Sequence, residues 1–153
     1  MSPGNLHHVG LTVSDLERSI WFYRDLLGLP VRERDEATGG QLAIVTGVRE
    51  PQVRIADLDF GNGGTLELTQ YLSPPGGAVR PQPMDVGHTH VGIDVDDIDL
   101  VYRRLAEAGV TLRSEPVTLE DAGPYWTGAR VVHALDPDGI TVELVQMPVR
   151  RDI

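Results

Sequence analysis

The chain has 153 residues, 41% of them hydrophobic and 24% charged, the composition of one globular domain with room for a sizeable core. Thirteen basic against 23 acidic residues leave a formal charge of −10, which argues against a nucleic-acid partner, because neutralising phosphates needs a basic face. Cysteine is absent, so disulfides, thiolate nucleophiles and cysteine-based zinc sites are excluded, and any metal must be held by histidine nitrogens and carboxylate oxygens. No apolar run approaches the ~20 residues of a membrane span. Residues 1–5 carry neither the basic residues nor the apolar stretch of a signal peptide, so a cytoplasmic protein is expected.

Residues 6–13 alternate in part between apolar and polar and read as a half-buried strand. Ser14-Asp15 offers a helix N-cap, with Glu17 in the first turn where the helix dipole favours an acid. Ile20, Tyr23, Leu26 and Leu27 recur at helical spacing, Trp21 and Phe22 widen the apolar face, Gly28 fits a left-handed C-cap and Pro30 prevents continuation. Residues 29–34 read as a second strand and 35–40 as a polar loop. Residues 41–46 and 52–60 are further strand candidates, with the count open by one. Gly61-Asn62-Gly63-Gly64 is a turn signal that delivers a strand over 65–71, with Leu66 and Leu68 on one face and Glu67 on the other.

Residues 73–87, rich in proline and glycine, read as a linker between a first module over 1–72 and a second over 88–148, and 149–153 as a frayed tail. The second module repeats the order of the first. His88-Thr89-His90-Val91-Gly92-Ile93-Asp94-Val95 forms its strand, and Asp96 or Asp97 caps a helix carrying Ile98, Val101, Leu105 and Ala108 that ends at Gly109. Residues 110–113 begin another strand, 120–124 form a loop, 125–133 lead onward, Asp136-Pro137-Asp138-Gly139 makes a tight turn, and 140–145 close the module. His8-Val9-Gly10 recurs as His90-Val91-Gly92, 82 residues on, each followed by an aliphatic residue, a valine two further on and then an aspartate. A sequence duplicated at half its length points to two copies of one supersecondary unit. The expected architecture is α+β: two tandem βαβββ modules, helices outside, with curved sheets enclosing a metal-binding cleft.

Each copy opens on a histidine and closes on a strand glutamate: His8 with Glu67, His90 with Glu143. A glutamate flanked by Leu66 and Leu68, or by Val142 and Leu144, is costly unless paired or liganded. Two imidazoles and two carboxylates suit one divalent first-row metal, with positions left for water or substrate. His8, Glu67, His90 and Glu143 are therefore the expected ligands of a single Ni, Co, Zn, Mn or Fe ion. For His7, His88 and His133 a surface or structural role is favoured, although His88 shares a face with His90 and His133 lies within reach of the cleft.

The repeated His-Val-Gly opening, the helix end Tyr23-Arg24-Asp25-Leu26-Leu27-Gly28-Leu29 and the closing Asp136-Pro137-Asp138-Gly139-Ile140-Thr141-Val142-Glu143-Leu144 resemble the vicinal oxygen chelate superfamily. That superfamily includes glyoxalase I, methylmalonyl-CoA epimerase, extradiol dioxygenases, fosfomycin-modifying enzymes and bleomycin-binding proteins, and the resemblance runs from about residue 6 to 147. Its members do different chemistry on one scaffold. One His and one Glu from each module matches the glyoxalase I-like ligand set most closely. Epimerase-like members usually carry Gln where this chain has Glu67, and extradiol dioxygenases use two His and one Glu.

What the resemblance implies is a glyoxalase-like isomerase, lyase or epimerase that moves a proton α to a carbonyl through a metal-chelated enolate. By the same analogy Glu143 is the base and Glu67 returns the proton. The alternatives are a small-molecule binding or resistance protein of the same fold and an Fe(II)-dependent ring-cleavage dioxygenase. Tyr125, Trp126 and Arg130 form an expected substrate-binding segment, with aromatic area for an apolar moiety and a guanidinium for a carboxylate or phosphate. A small-molecule substrate and a homodimer are expected, with no nucleic-acid or membrane partner.

Overall fold

The computed structural model describes residues 4, 6–61 and 63–148. The expected tail over 149–153 lies outside them, as does Asn62 of the glycine-rich turn. The chain divides into two compact units, Met1–Val79 and Arg80–Ile153. None of its described helices is long and apolar enough to cross a membrane.

Unit 1 opens with β1 (His8–Thr12) and α1 (Leu16–Ile20), which winds on as a π-helical stretch over Trp21–Leu26. The cap is Asp15, whose carboxylate accepts from the Arg18 N–H at 3.0 Å. The π winding shows in the Leu27 N–H donating to the Phe22 carbonyl, five residues back, at 3.2 Å. It turns Phe22, Tyr23 and Leu26 inward and leaves Trp21 exposed, so Trp21 does not belong to the apolar face expected of it. β2 (Val31–Thr38) continues through most of the stretch expected to be loop. It is an edge strand paired only to β3 (Gln52–Asp59), which is why so polar a sequence can be a strand.

Residues 41–46 are a helix, α2 (Gly40–Thr46), and not a strand. An apolar run this short carries no decisive period. What settles it is punctuation: Gly39 and Gly40 at φ 49° and 50° as its cap and first residue, and Gly47 at φ 70° as a left-handed cap after it. None of its residues is buried, so no sheet face asks for them. β4 (Thr65–Ser73) completes a sheet of order β1-β4-β3-β2, with β1 parallel to β4 and the other pairs antiparallel.

Unit 2 repeats the plan with β5 (His90–Asp94), α3 (Ile98–Glu107), β6 (Val117–Thr118), α4 (Gly123–Trp126), β7 (Arg130–Leu135) and β8 (Thr141–Gln146), in the order β5-β8-β7-β6. Asp97 is the cap of α3, accepting from the Leu100 N–H at 2.9 Å. Residues 110–113, expected to begin a strand, make only an isolated bridge from Leu112 to Ala134 before the chain bends. The ladder resumes at the two-residue β6 after Pro116, which has no N–H to donate. The 120–124 loop gives way to α4, a single turn with Pro124 in its first positions. The tight turn before β8 is held by the buried Asp136, whose carboxylate accepts from the Asp138 and Ile140 N–H groups at 2.9 and 2.8 Å.

Strand pairing fixes which side chains share a face. In unit 1, Val9 pairs with Leu66 and Leu11 with Leu68 on the face that packs against α1; Leu66, Leu68, Ala56 and Leu58 are all fully buried there. In unit 2, Val91, Ile93, Val132, Ala134, Val142 and Leu144 form the matching buried face, and Ile98 and Leu105 of α3 are fully buried. Each of the Val, Leu and Ile side chains among them contributes about 1.5–3 kcal/mol of transfer free energy. The last strand of each unit also reaches the start of its helix. Gln70 accepts from the Leu16 N–H at 3.2 Å and donates to the Ser14 carbonyl at 3.0 Å, and Gln146 accepts from the Ile98 N–H at 3.0 Å. Each glutamine thereby satisfies an N-terminal helix amide that has no partner within the helix.

Candidate functional site

The opposite face of each sheet is where polar residues gather. In unit 1, His8 pairs with Thr65 and Gly10 with Glu67, so His8, Gly10 and Glu67 stand on one face, away from the core. Gly10 lies beside both of them. A Cβ built on it lies 3.7 Å from Glu67 Oε1 and 4.0 Å from His8 Cδ2, so any larger side chain would fill the space between ring and carboxylate. Glu67 Oε1 also accepts from the Thr69 hydroxyl at 3.3 Å, and the Nδ1 atoms of His7 and His8 lie 2.8 Å apart. Across the antiparallel pair from Glu67 stands Asp57, whose Oδ1 is buried without a hydrogen-bond partner among the described residues.

Unit 2 reproduces the frame. His90 pairs with Thr141 and Gly92 with Glu143, and a Cβ on Gly92 would sit 3.7 Å from Glu143 Oε2. His90 Nε2 lies 3.7 Å from Glu143 Oε2. The residue across from Glu143 is His133, whose Nε2 is 3.2 Å from Glu143 Oε1. The two imidazole centroids are 5.8 Å apart with the rings inclined by 30°. The Glu143 carboxylate, about one-fifth exposed, is thus bracketed by two histidines on neighbouring strands. His88 lies one step along the same face, with Nε2 3.1 Å from the buried Thr141 hydroxyl.

Each expected His–Glu pair is therefore brought together within its own unit. Two donors do not make a metal centre, and among the described residues no group of three or more His, Asp or Glu is gathered to hold one. The residue missed in the sequence is His133. Its partner is not legible there: counting outward equally from the Asp136–Gly139 turn puts it opposite Val142, whereas Asp136 closes on Ile140 and the register sets it opposite Glu143.

Arg130 does not belong with these groups. It shares the core face with Val132 and Ala134, on the far side of the sheet from His133, and its guanidinium is committed to Asp99 of α3 by bonds of 2.6 and 2.8 Å. Strand parity and the fork-to-carboxylate pairing place it against the helix, apart from the His133 and Glu143 face. Tyr125 and Trp126 lie on α4, edge to face with centroids 5.3 Å apart and both exposed. Hydrogen bonding from Arg130 holds the Asp99 carboxyl below the usual aspartate range. A carboxyl depressed in the folded state stabilises the fold above its unfolded pKa, and that contribution disappears as pH falls through the folded value. Asp99→Asn is therefore expected to flatten the acid limb of the stability–pH curve, read by urea melts between neutral and strongly acidic pH, and to leave metal content unchanged.

The comparisons with known proteins bear on the family and the fold. The family model of the glyoxalase/bleomycin resistance protein/dioxygenase superfamily matches residues 5–144. A 2-epi-5-epi-valiolone epimerase from an Actinomyces species is 32% identical over 147 residues, covering 94% of this chain and 79% of that protein. A probable lactoylglutathione lyase of Vibrio cholerae is 29% identical over 150 residues, with 95% and 93% covered. Among solved structures, a glyoxalase family protein from Bacillus cereus superposes with a TM-score of 0.83 at 27% identity, covering 96% of this chain and 98% of that one. The chain belongs to the glyoxalase/bleomycin resistance protein/dioxygenase superfamily, and its two four-stranded mixed sheets with few helices have that family's α+β fold.

Proposed function

We propose that the protein is a metal-dependent isomerase, epimerase or lyase of the glyoxalase type, which moves a proton on the carbon beside a carbonyl. The observation that carries this reading is the duplicated frame: in each unit a strand histidine, a glycine two residues later and a glutamate on the neighbouring parallel strand share the face opposite the core. Relatives named as an epimerase and as a lactoylglutathione lyase support the same class of chemistry.

His8, Glu67, His90 and Glu143 would be the ligands of one divalent ion, Ni, Co, Zn, Mn or Fe. Their donors fit it: imidazole nitrogens and carboxylate oxygens, on strands whose opposite faces are locked in cores. When bound, such an ion supplies a Lewis acid that stabilises negative charge on a substrate oxygen. The chain's own contribution is the handling of the proton. Glu143 removes it from the α-carbon and Glu67 returns it. Gly10 and Gly92 leave both carboxylates uncovered by a side chain from the neighbouring strand.

Elemental analysis of untagged protein tests this, alongside a His8→Ala/His90→Ala double variant. The expected result is near-stoichiometric metal in the wild type and its loss in the variant. The metal-loaded wild type should then wash deuterium from D2O into the α-position of an α-hydroxy ketone, a hemithioacetal or an acyl thioester. A wild-type protein that takes up no metal even on reconstitution overturns the reading. A homodimer is part of the same reading, and sedimentation of the same samples at the monomer mass would remove it.

A further inference from the structure

We propose that His133 is a positioning residue for Glu143, a device present in unit 2 and, among the described residues, without a counterpart in unit 1. The proposal rests on the reading of Glu143 as the proton-moving carboxylate, and its test is arranged to fail separately from that reading.

The hydrogen bond between His133 Nε2 and Glu143 Oε1, at 3.2 Å, joins side chains ten residues apart in sequence that β7 and β8 set directly opposite each other. An ionised carboxylate can only accept, so the hydrogen of this bond sits on His133 Nε2, which fixes the protonated nitrogen of the ring. Holding Oε1 from one side leaves Oε2 directed at His90, whose Nε2 is 3.7 Å away. The carboxylate plane is thus fixed by a residue that is itself no expected metal ligand. Neighbours of β7 confirm that His133 is not placed by packing: Val132 and Ala134 on either side point into the core, and His133 alternates to the other face, one-third exposed.

Unit 1 is built differently at the same point. The residue opposite Glu67 is Asp57, which as a carboxylate has no hydrogen to give, and the donor recorded on Glu67 is Thr69 from its own strand. Two glutamates in otherwise matching frames therefore have unlike partners. One is oriented from the neighbouring strand by an imidazole, and the other stands beside a second acid.

Two variants separate orientation from mere space-filling: His133→Leu removes the donor and His133→Gln retains N–H groups near its position. Co2+ titrated into metal-free protein, followed by visible absorption, should bind His133→Leu about 10–100-fold more weakly than the wild type, the usual cost of losing a group that orients a ligand. His133→Gln should recover most of that loss. Unchanged affinity in His133→Leu, or equal loss in both variants, overturns the proposal. The metal-free protein supplies a second measurement that stands even where no Co2+ binds. Long-range 1H–15N spectra should show His133 carrying its hydrogen on Nε2, with ring shifts that change in Glu143→Gln while those of His88, bonded to Thr141, do not. A His133 ring protonated only on Nδ1, or blind to Glu143→Gln, overturns it. Absence of Co2+ binding in the wild type, with the expected ring signals, removes the metal reading and leaves the positioning role in place.

Discussion

Glu143→Gln, assayed with metal at saturation, is expected to lower the rate of α-proton exchange by about 10²–10⁴-fold, the contribution of a positioned general base. The substitution keeps the shape of the side chain and removes its ability to accept a proton. It also spares the fold. Glu143 projects from the face opposite the core, and the side chains that anchor its strand, Val142 and Leu144, point the other way. Urea unfolding should therefore change by no more than about 1–1.5 kcal/mol, the scale of the one hydrogen bond to His133 that the substitution alters. Deuterium uptake by substrate and a denaturant melt of the same sample read the two quantities. Full activity in a variant that retains its metal would remove Glu143 from the chemistry and pass the role to Glu67.

One residue further along the strand the outcome reverses. Leu144→Ala is expected to cost about 2–5 kcal/mol of stability, because it empties a fully buried site facing α3 that the sheet can only partly close. Activity at low temperature, where the variant remains folded, should stay near that of the wild type, since Glu143 and His90 lie on the other face. The melt and the low-temperature rate, measured together, decide it. A loss below about 1 kcal/mol would mean that this face is not the packed core its burial describes. Alternation along a single strand thus separates what holds the protein together from what it does.

The same alternation explains what could be read from the sequence. The duplicated His-Val-Gly and the distant glutamates gave both half-frames, because parity within a strand and repetition between copies are properties of the chain itself. Strand order and the parallel pairing of β1 with β4 were not legible: nothing in residues 8–12 states which later strand will lie beside them. The helix over Gly40–Thr46 reads in sequence only as a strand candidate, because its apolar residues serve no buried face and their pattern carries no period to recognise. The partner of Arg130 depends on a register that the sequence does not state. Next to aromatic residues in sequence it suggested a ligand pocket, whereas β7 turns it toward the helix and Asp99. The place of His133 opposite Glu143 is hidden for the same reason, because the turn read from the sequence gives a register one residue off the observed one.

The two glutamines that reach from closing strand to helix start, Gln70 and Gln146, bear on how each unit comes apart. An amide at a helix start ordinarily frays with its own first turn. Here the Leu16 and Ile98 amides are covered by side chains from the far end of the unit, so they are shielded only while that end is docked. The earliest helix and the latest strand of each unit consequently belong to one cooperative opening event, and the slowest-exchanging amides should trace that pairing across more than forty residues of intervening chain.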